Sequence, residues 1–125
     1  MSPGMTEIAI CAGDVLHDGG AGVRFPVTAY GGDATGFVIR FRGQVHAYLN
    51  RCAHVPIELD WNEGAFFEST GLYIMCATHG AIYLPESGRC AGGPCRGGAL
   101  RKIHVAERDG QVYWQPDDLV TPALA

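Results

Sequence analysis

Several features that mark other classes of protein are missing from this sequence. No stretch reaches the roughly 18 consecutive apolar residues that a membrane-spanning helix requires. The first 20 residues lack the basic stretch and apolar core of a secretory signal, and no pair of arginines precedes the first basic residue, Arg24. We therefore expect a soluble cytoplasmic protein that does not enter a membrane.

A surplus of positive charge is also missing. The chain has 9 Lys and Arg against 13 Asp and Glu, which gives a formal net charge of -4. Because phosphate binding normally needs a basic patch, we expect no nucleic-acid partner. The charges are unevenly spread, since four acids and no Lys or Arg lie between His54 and Cys76, whereas bases dominate from Arg89 to Arg108.

Long helical patterns are absent, while glycine and proline are abundant. The 125 residues include 18 Gly and 7 Pro, a composition typical of short strands joined by turns. A chain of this length is expected to form one domain, residues 1–125.

Alternating or continuous apolar runs predict the strands. Hairpin turns are predicted at Gly43-Gln44 and Asp109-Gly110. One helical turn is expected within 55–67, and the tail 116–125 is expected to fray. The strands are predicted at 7–10, 23–27, 37–42, 45–49, 72–75, 81–84, 100–107 and 111–115.

Two short segments each combine a cysteine with a histidine. Cys52-Ala53-His54 follows one predicted strand, and Cys76-Ala77-Thr78-His79 follows another. Thiolates and imidazoles are metal ligands, so the four side chains can hold either a binuclear iron–sulfur cluster or a structural zinc ion. Zinc fingers group their ligands as cysteine pairs and histidine pairs, so the mixed loops favour iron.

The paired motifs resemble those of the Rieske proteins, in which two histidines replace two cysteines at one iron of a 2Fe-2S centre. Gly80 follows the second histidine, Tyr83 lies four residues after it, and Gly92-Gly93-Pro94 is similar to the loop that covers the cluster in that family. The resemblance implies an all-β fold, a Rieske-type antiparallel β-sandwich with a small cluster-binding subdomain at about 50–98.

The same resemblance implies one 2Fe-2S cluster per chain and assigns its ligands. Cys52 and Cys76 would bind the buried iron, and His54 and His79 the exposed iron. The Tyr83 hydroxyl would donate a hydrogen bond to the Cys52 sulfur and so raise the reduction potential. Gly80 and Pro94 would lie around this site.

The sequence also departs from the Rieske subunits of respiratory complexes. Those subunits carry an extra cysteine in each ligand loop, joined as a disulfide, and a serine two residues after the second histidine. Ile57, Thr78 and Ala81 stand at these places. The resemblance then implies a potential towards the lower part of the family's range, about -150 to +300 mV, and favours a ferredoxin.

We expect a one-electron carrier rather than an enzyme. It would take electrons from a flavoprotein reductase and pass them to an oxygenase or another redox enzyme. Two alternatives remain open, a Rieske-like small subunit of a larger reductase, similar to that of nitrite reductase, and a zinc-stabilised interaction module. A further hypothesis is that the acidic residues before Cys76 steer a basic partner towards the histidines. These acids are Glu58, Asp60, Glu63 and Glu68.

The other cysteines and aromatic residues have simpler interpretations. Cys90 and Cys95 flank the covering loop and are expected to be free thiols, because disulfides are rare in the cytoplasm. Trp61, Phe66 and Phe67 are expected to form a small satellite core rather than a docking patch.

Overall fold

Ten short antiparallel strands and a 3-10 helix at Gly13–Val15 make up this computed structural model, which describes residues 7–53, 57–60, 62–78 and 80–123. Most predicted strands are present within two or three residues. The strands are β1 (Ile8–Ala12), β2 (Val23–Ala29), β3 (Gly32–Phe41), β4 (Gln44–Leu49), β5 (Ile74–Met75), β6 (Ile82–Tyr83), β7 (Cys90–Gly92), β8 (Lys102–Arg108), β9 (Gln111–Gln115) and β10 (Val120–Pro122).

The strands form two antiparallel sheets. The larger has the order β1-β9-β8-β4-β3-β2-β10, and the smaller has the order β5-β6-β7. The larger sheet curls, because the Phe25 ring of β2 lies 5.4 Å from the Trp114 ring of β9, although several strands separate them. The expected all-β antiparallel sandwich is confirmed.

Three hairpins of the larger sheet turn through positive backbone φ angles. Tyr30 and Gly31 have φ values of 52° and 77° and join β2 to β3. Asp109 and Gly110 have φ values of 52° and 76°, and join β8 to β9 where the sequence predicts a turn. Arg42 and Gly43 have φ values of 51° and 81° and join β3 to β4. The predicted turn at Gly43-Gln44 is therefore wrong by one residue, because Gln44 pairs with Phe41 in the ladder.

Strand β3 supplies both hydrophobic cores, because its side chains alternate between the two faces of the sheet. Phe37, Ile39 and Phe41 join the core that lies against the smaller sheet, whereas Val38 joins the core inside the curled sheet. Phe66 stacks on Phe37 with a ring separation of 3.9 Å and an interplanar angle of 8°. Phe66 therefore belongs to a main core, to which Phe67 packs from the side, and Trp61 lies outside the described residues.

One expectation for local structure is wrong. The tail does not fray as a whole, because β10 pairs with β2 and Val120 is buried in the core. The Asp117 carboxylate accepts hydrogen bonds from the Leu119 and Val120 amides, both at 2.9 Å, and so fixes the turn before β10. The helical turn expected within 55–67 lies partly outside the described residues; the described part contains a single hydrogen-bonded turn, from the Ala65 N–H to the Asn62 carbonyl at 2.8 Å, and no helix.

The described ranges contain no candidate for a membrane-spanning helix. None of the helical segments there is long and apolar enough to cross a bilayer.

A substitution at Gly36, which packs against Phe25 and Ile103, tests how tightly the core is packed. A Cβ at Gly36 would lie 2.6 Å from Phe25 Cζ and 3.0 Å from Ile103 Cδ1, whereas a Cβ at Gly32 of the same strand meets nothing within 4 Å. We expect Gly36→Ala to lower the free energy of unfolding by about 1–3 kcal/mol, because overpacking forces neighbouring side chains to shift. Gly32→Ala is the control and should change it by less than about 1 kcal/mol. Equal urea midpoints for the two variants would contradict this packing.

Candidate metal centre

The first ligand loop begins where β4 ends at Leu49. Cys52 is 3% exposed, and its backbone N–H donates to the Ile57 carbonyl at 2.8 Å. Asn50, immediately after the strand, donates its own N–H to the Thr35 carbonyl at 2.7 Å. The loop is thus anchored to β3 at its start and closes on itself at Ile57, which turns the Cys52 side chain into the core.

The second ligand loop begins where β5 ends at Met75. Cys76 is fully buried, and the loop is closed by two backbone hydrogen bonds, Cys76 N–H to the Ala81 carbonyl at 2.8 Å and Gly80 N–H to the Cys76 carbonyl at 3.0 Å. Gly80 has a φ of 73°, a conformation that suits glycine. Gly80, which follows the second histidine in sequence, therefore lies in a turn that favours glycine.

Leu59 connects the two loops through its backbone. Its N–H donates to the Asn50 side-chain oxygen at 2.8 Å, next to the first loop. Its carbonyl accepts the N–H of Ala77, in the second loop, at 3.0 Å. Cys52 and Cys76 belong to the same buried cluster as Leu59, so the structure brings both predicted cysteine ligands into one core.

Asp60 extends this connection with a buried carboxylate. One oxygen accepts from the Asn50 amide nitrogen at 2.8 Å and the other from the Gly64 N–H at 2.9 Å. The Arg24 guanidinium lies 3.8 Å away. These partners compensate the cost of burying the charge. The roles of Asn50 and Asp60 were missed in the sequence, where the only sign is a polar residue between an apolar strand and the first cysteine.

Tyr83 is buried and reaches the first loop. Its hydroxyl oxygen lies 3.3 Å from Cys52 Sγ and accepts a hydrogen bond from the Ala53 N–H at 3.0 Å. Because the amide occupies a lone pair of that oxygen, the hydroxyl hydrogen is available for the sulfur. Burial, followed by the hydrogen bond with Cys52, raises the pKa of Tyr83, so the phenol keeps its proton as a donor.

The covering loop, residues 90–98, touches both ligand loops. Gly93, with a φ of 80°, packs so closely that a Cβ would lie 3.0 Å from both Ala81 Cα and the Gly80 carbonyl oxygen. At its other end, a Cβ at Gly98 would lie 3.0 Å from the Ala53 Cβ. Pro94 lies between these contacts and is exposed.

Cys90 and Cys95 form a disulfide, so the expectation of free thiols is wrong. Their Cα atoms lie 5.6 Å apart although four residues separate them in sequence. The Gly92-Gly93-Pro94 turn brings them together, and Cys95 packs into the same core as the two ligand cysteines. The sequence clue is that the two cysteines flank a glycine-rich turn. The disulfide closes the covering loop on itself.

The four acidic residues between His54 and Cys76, a segment that we call the insert, form ion pairs or hydrogen bonds within the protein. Glu58 and Glu63 bind Arg24 at 2.7 and 3.2 Å, and Asp60 is buried. Glu68 accepts hydrogen bonds from the Thr70 hydroxyl and nearby backbone amides, and the Thr70 hydroxyl is the main cause of its lowered pKa. The hypothesis that these acids steer a basic partner stays a prediction, because Glu58 and Glu63 share one arginine and keep exposed surface.

The described residues fit the cysteine half of a cluster that is bound by two cysteines and two histidines. Two buried cysteines project from two loops, and a tyrosine hydroxyl is directed at one of the sulfurs. His54 and His79 lie outside the described residues, so the second half stays a prediction. Among residues 7–53, 57–60, 62–78 and 80–123, no group of three or more potential ligands is assembled.

Comparison with known families decides the assignment. A family profile described as Rieske [2Fe-2S] domain matches residues 8–115. The chain belongs to this Rieske family. The cofactor of the domain is a 2Fe-2S cluster.

Solved structures share this Rieske fold. The ferredoxin of carbazole 1,9a-dioxygenase from Nocardioides aromaticivorans IC177 is 23% identical, with a TM-score of 0.70 over 90% of this chain and 99% of that one. A chain in the complex of reduced oxygenase and oxidized ferredoxin in carbazole 1,9a-dioxygenase is 25% identical, with a TM-score of 0.67 over 87% and 92%.

The same fold occurs inside a larger protein. The terminal oxygenase of carbazole 1,9a-dioxygenase from N. aromaticivorans IC177 is 19% identical, with a TM-score of 0.67 over 94% of this chain but 32% of that one. No curated protein sequence gives a significant match.

Removal of the Tyr83 hydroxyl tests its contact with the sulfur. We expect Tyr83→Phe to lower the reduction potential of the cluster-loaded protein, because hydrogen bonds to the sulfurs stabilise the reduced state. It should also cost about 1–3 kcal/mol of stability, since the Ala53 amide loses its acceptor. Tyr48→Phe is the matched control, because that buried hydroxyl donates to the Pro85 carbonyl at 2.6 Å instead. Equal potentials for the two variants in a redox titration would contradict the assignment.

The disulfide makes a simple prediction for thiol counts. Of five cysteines, the denatured, cluster-free protein should expose three thiols before reduction and five after it. A Cys90→Ser, Cys95→Ser variant should lose about 2 kcal/mol of stability, the value for closing so short a loop. Cys11→Ser, which touches no disulfide, is the control. Five thiols without reductant would show that the bond is absent.

Proposed function

We propose that this protein is a one-electron carrier that holds a single 2Fe-2S cluster between Cys52, His54, Cys76 and His79. The observation that carries the proposal is the Tyr83 hydroxyl, 3.3 Å from Cys52 Sγ, in a core that also contains Cys76. A tyrosine hydroxyl directed at a buried sulfur suits a thiolate that accepts hydrogen bonds while it binds metal.

The two sides of the ligand loops have different tasks. Cys52 and Cys76 face the core, whereas Ala53, Ala77 and Thr78 are exposed. The thiolates would therefore hold the cluster against the protein, and the outer face of the loops would meet a partner. When bound, a 2Fe-2S cluster supplies a centre that gains or loses one electron.

The direction of electron flow is the finer part of the proposal. We assign a flavoprotein reductase as donor and an oxygenase as acceptor, with catalysis carried out by the partner. The likeness to a ferredoxin over 99% of that chain, and to a complex of an oxygenase with its ferredoxin, supports this assignment. Tyr83, Gly80 and Pro94 would surround the cluster without binding it.

We also propose that the chain folds as one domain with its cluster-binding subdomain at about 50–98. The support is β3, which contributes Phe37 to the core beside the cysteines and Val38 to the core of the curled sheet. A strand shared by two cores couples their stabilities, because neither core can lose it alone. Denaturant unfolding followed by near-ultraviolet and far-ultraviolet signals should then give coincident transitions.

The decisive experiment combines metal analysis with spectroscopy of anaerobically purified protein. We expect two irons and two sulfides per chain, and an EPR signal after dithionite reduction with an average g below that of all-cysteine ferredoxins. Cys76→Ser and His79→Ala should each lose this signal, while Cys11→Ser, remote from the ligand loops in the β1 strand, should keep it. A colourless protein with one zinc that also failed reconstitution with iron and sulfide would support the zinc-stabilised module instead.

A further inference from the structure

The end of the molecule that carries the ligand loops is basic. We define the basic end as the described residues 51–53, 57, 76–78, 80–85 and 87–99, which belong to both ligand loops and the covering loop. These segments contain three arginines, Arg51, Arg89 and Arg96, and no Asp or Glu, although the whole chain has a net charge of -4. Glu86, which lies between two of these segments, pairs with Arg42 at 4.0 Å. All three arginines are exposed. The local charge is therefore opposite in sign to the charge of the whole protein.

Two of these arginines flank the loops that would hold the cluster. Arg51 directly precedes Cys52 and lines a groove with Ala53, Gly98 and Arg101. Arg96 lies on the covering loop and lines the adjacent groove formed by residues 90–97. The contact between Gly98 and Ala53 brings the two loops together, so both arginines belong to one surface.

The charges of this surface are not neutralised within the described residues. Arg51, Arg89 and Arg96 form no ion pair there, and the Arg51 guanidinium lies over the Tyr30 ring at 4.6 Å, which leaves its charge accessible. Arg24 and Arg40, by contrast, are each bound to carboxylates. Asp33 shares the neighbouring groove with Arg51, and Glu58 in that groove is already paired with Arg24.

We propose that the basic end docks the acidic face of a redox partner protein. The inference rests on the proposed function, because it requires an electron to cross this end of the molecule. Opposite charges at the contact speed association and orient the partner. The net charge of -4 repels an acidic partner from the other faces, so the arginines favour the orientation in which the ligand loops face the partner.

One anionic and one cationic small oxidant can test the sign of the electrostatic potential at the basic end, even though the partner protein is not identified. The cluster-loaded, reduced protein is oxidised in a stopped-flow instrument by hexacyanoferrate(III), an anion, and by tris(phenanthroline)cobalt(III), a cation. Each rate is measured as a function of ionic strength. We expect the rate with the anion to fall as salt is added, although the overall charge of the protein predicts the opposite slope.

Two charge-reversal variants separate local from global charge. At about 0.1 M salt, where the screening length is about 10 Å, R51E/R96E should slow oxidation by the anion about tenfold. R108E is the control, because Arg108 is the last residue of β8 and pairs with Glu7, and the length of β8 separates it by about 20 Å from Arg101, which binds Leu49 next to the first loop. R108E and the single variant R96E have the same net charge, so R96E should slow the reaction more than R108E does.

The outcomes separate this inference from the proposed function. Failure to bind a cluster would overturn both. A normal cluster spectrum with equal rates for R96E and R108E, or with a rate for the anion that rises with salt, would overturn only the docking surface. Loss of binding to single-stranded DNA in R51E/R96E, with salt slopes like those of R108E, would assign the arginines to nucleic acid and also overturn it.

Discussion

The peptide groups of Leu59 are the constraint on which the candidate site depends. The N–H of this buried residue binds Asn50 beside the first ligand loop, and its carbonyl accepts the Ala77 N–H of the second. A hydrogen bond of this kind contributes only about 0.5–1.5 kcal/mol net, but leaving a buried partner unsatisfied costs about 1–3 kcal/mol. Separation of the two loops would expose or orphan both groups, so each cysteine is positioned through the same residue.

The side chain at position 50 must donate and accept at once. Asn50 accepts from Leu59 with its oxygen and donates to Asp60 with its nitrogen. An aspartate there would accept from Leu59 but place a second carboxylate against Asp60, and an apolar residue would satisfy neither partner. Because Asp60 also binds the Gly64 N–H and lies near Arg24, the loop segment is fixed by a fully partnered polar network. This network fixes the start of the first ligand loop relative to the second through Leu59.

Features that depend only on adjacent residues could be predicted from the sequence. The hairpin at Asp109-Gly110 follows from residues that tolerate positive φ. The assignment of Cys52 and Cys76 as ligands, made from their spacing to histidine, stays a prediction, although both lie in one buried core. Strand β10 was missed because three residues of ordinary composition become a strand only when β2 offers its edge. The bond between Cys90 and Cys95 was missed for a related reason, since it depends on how tightly an intervening turn closes.

Long-range partners explain the remaining errors. An aspartate in a charged insert suggests a solvated surface, yet Asp60 is buried, because Asn50 lies ten residues earlier in the chain and beside it in space. Glu58 and Glu63 have no basic residue near them in sequence, yet they bind Arg24 of β2, more than thirty residues away. The positions of His54 and His79 remain predictions, since neither is among the described residues.

Ion pairs within the protein therefore determine which unpaired charges a partner protein contacts. The pairing of Arg24 with the insert offsets one of its four acidic charges, while Arg51 and Arg96 form no ion pair within the described residues. At physiological salt the screening length is about 8 Å, so a molecule in contact with these loops senses the arginines more than the net charge of -4. At a distance and at low salt the net charge has more weight. Discrimination between orientations thus arises at close range, where an electron would be exchanged.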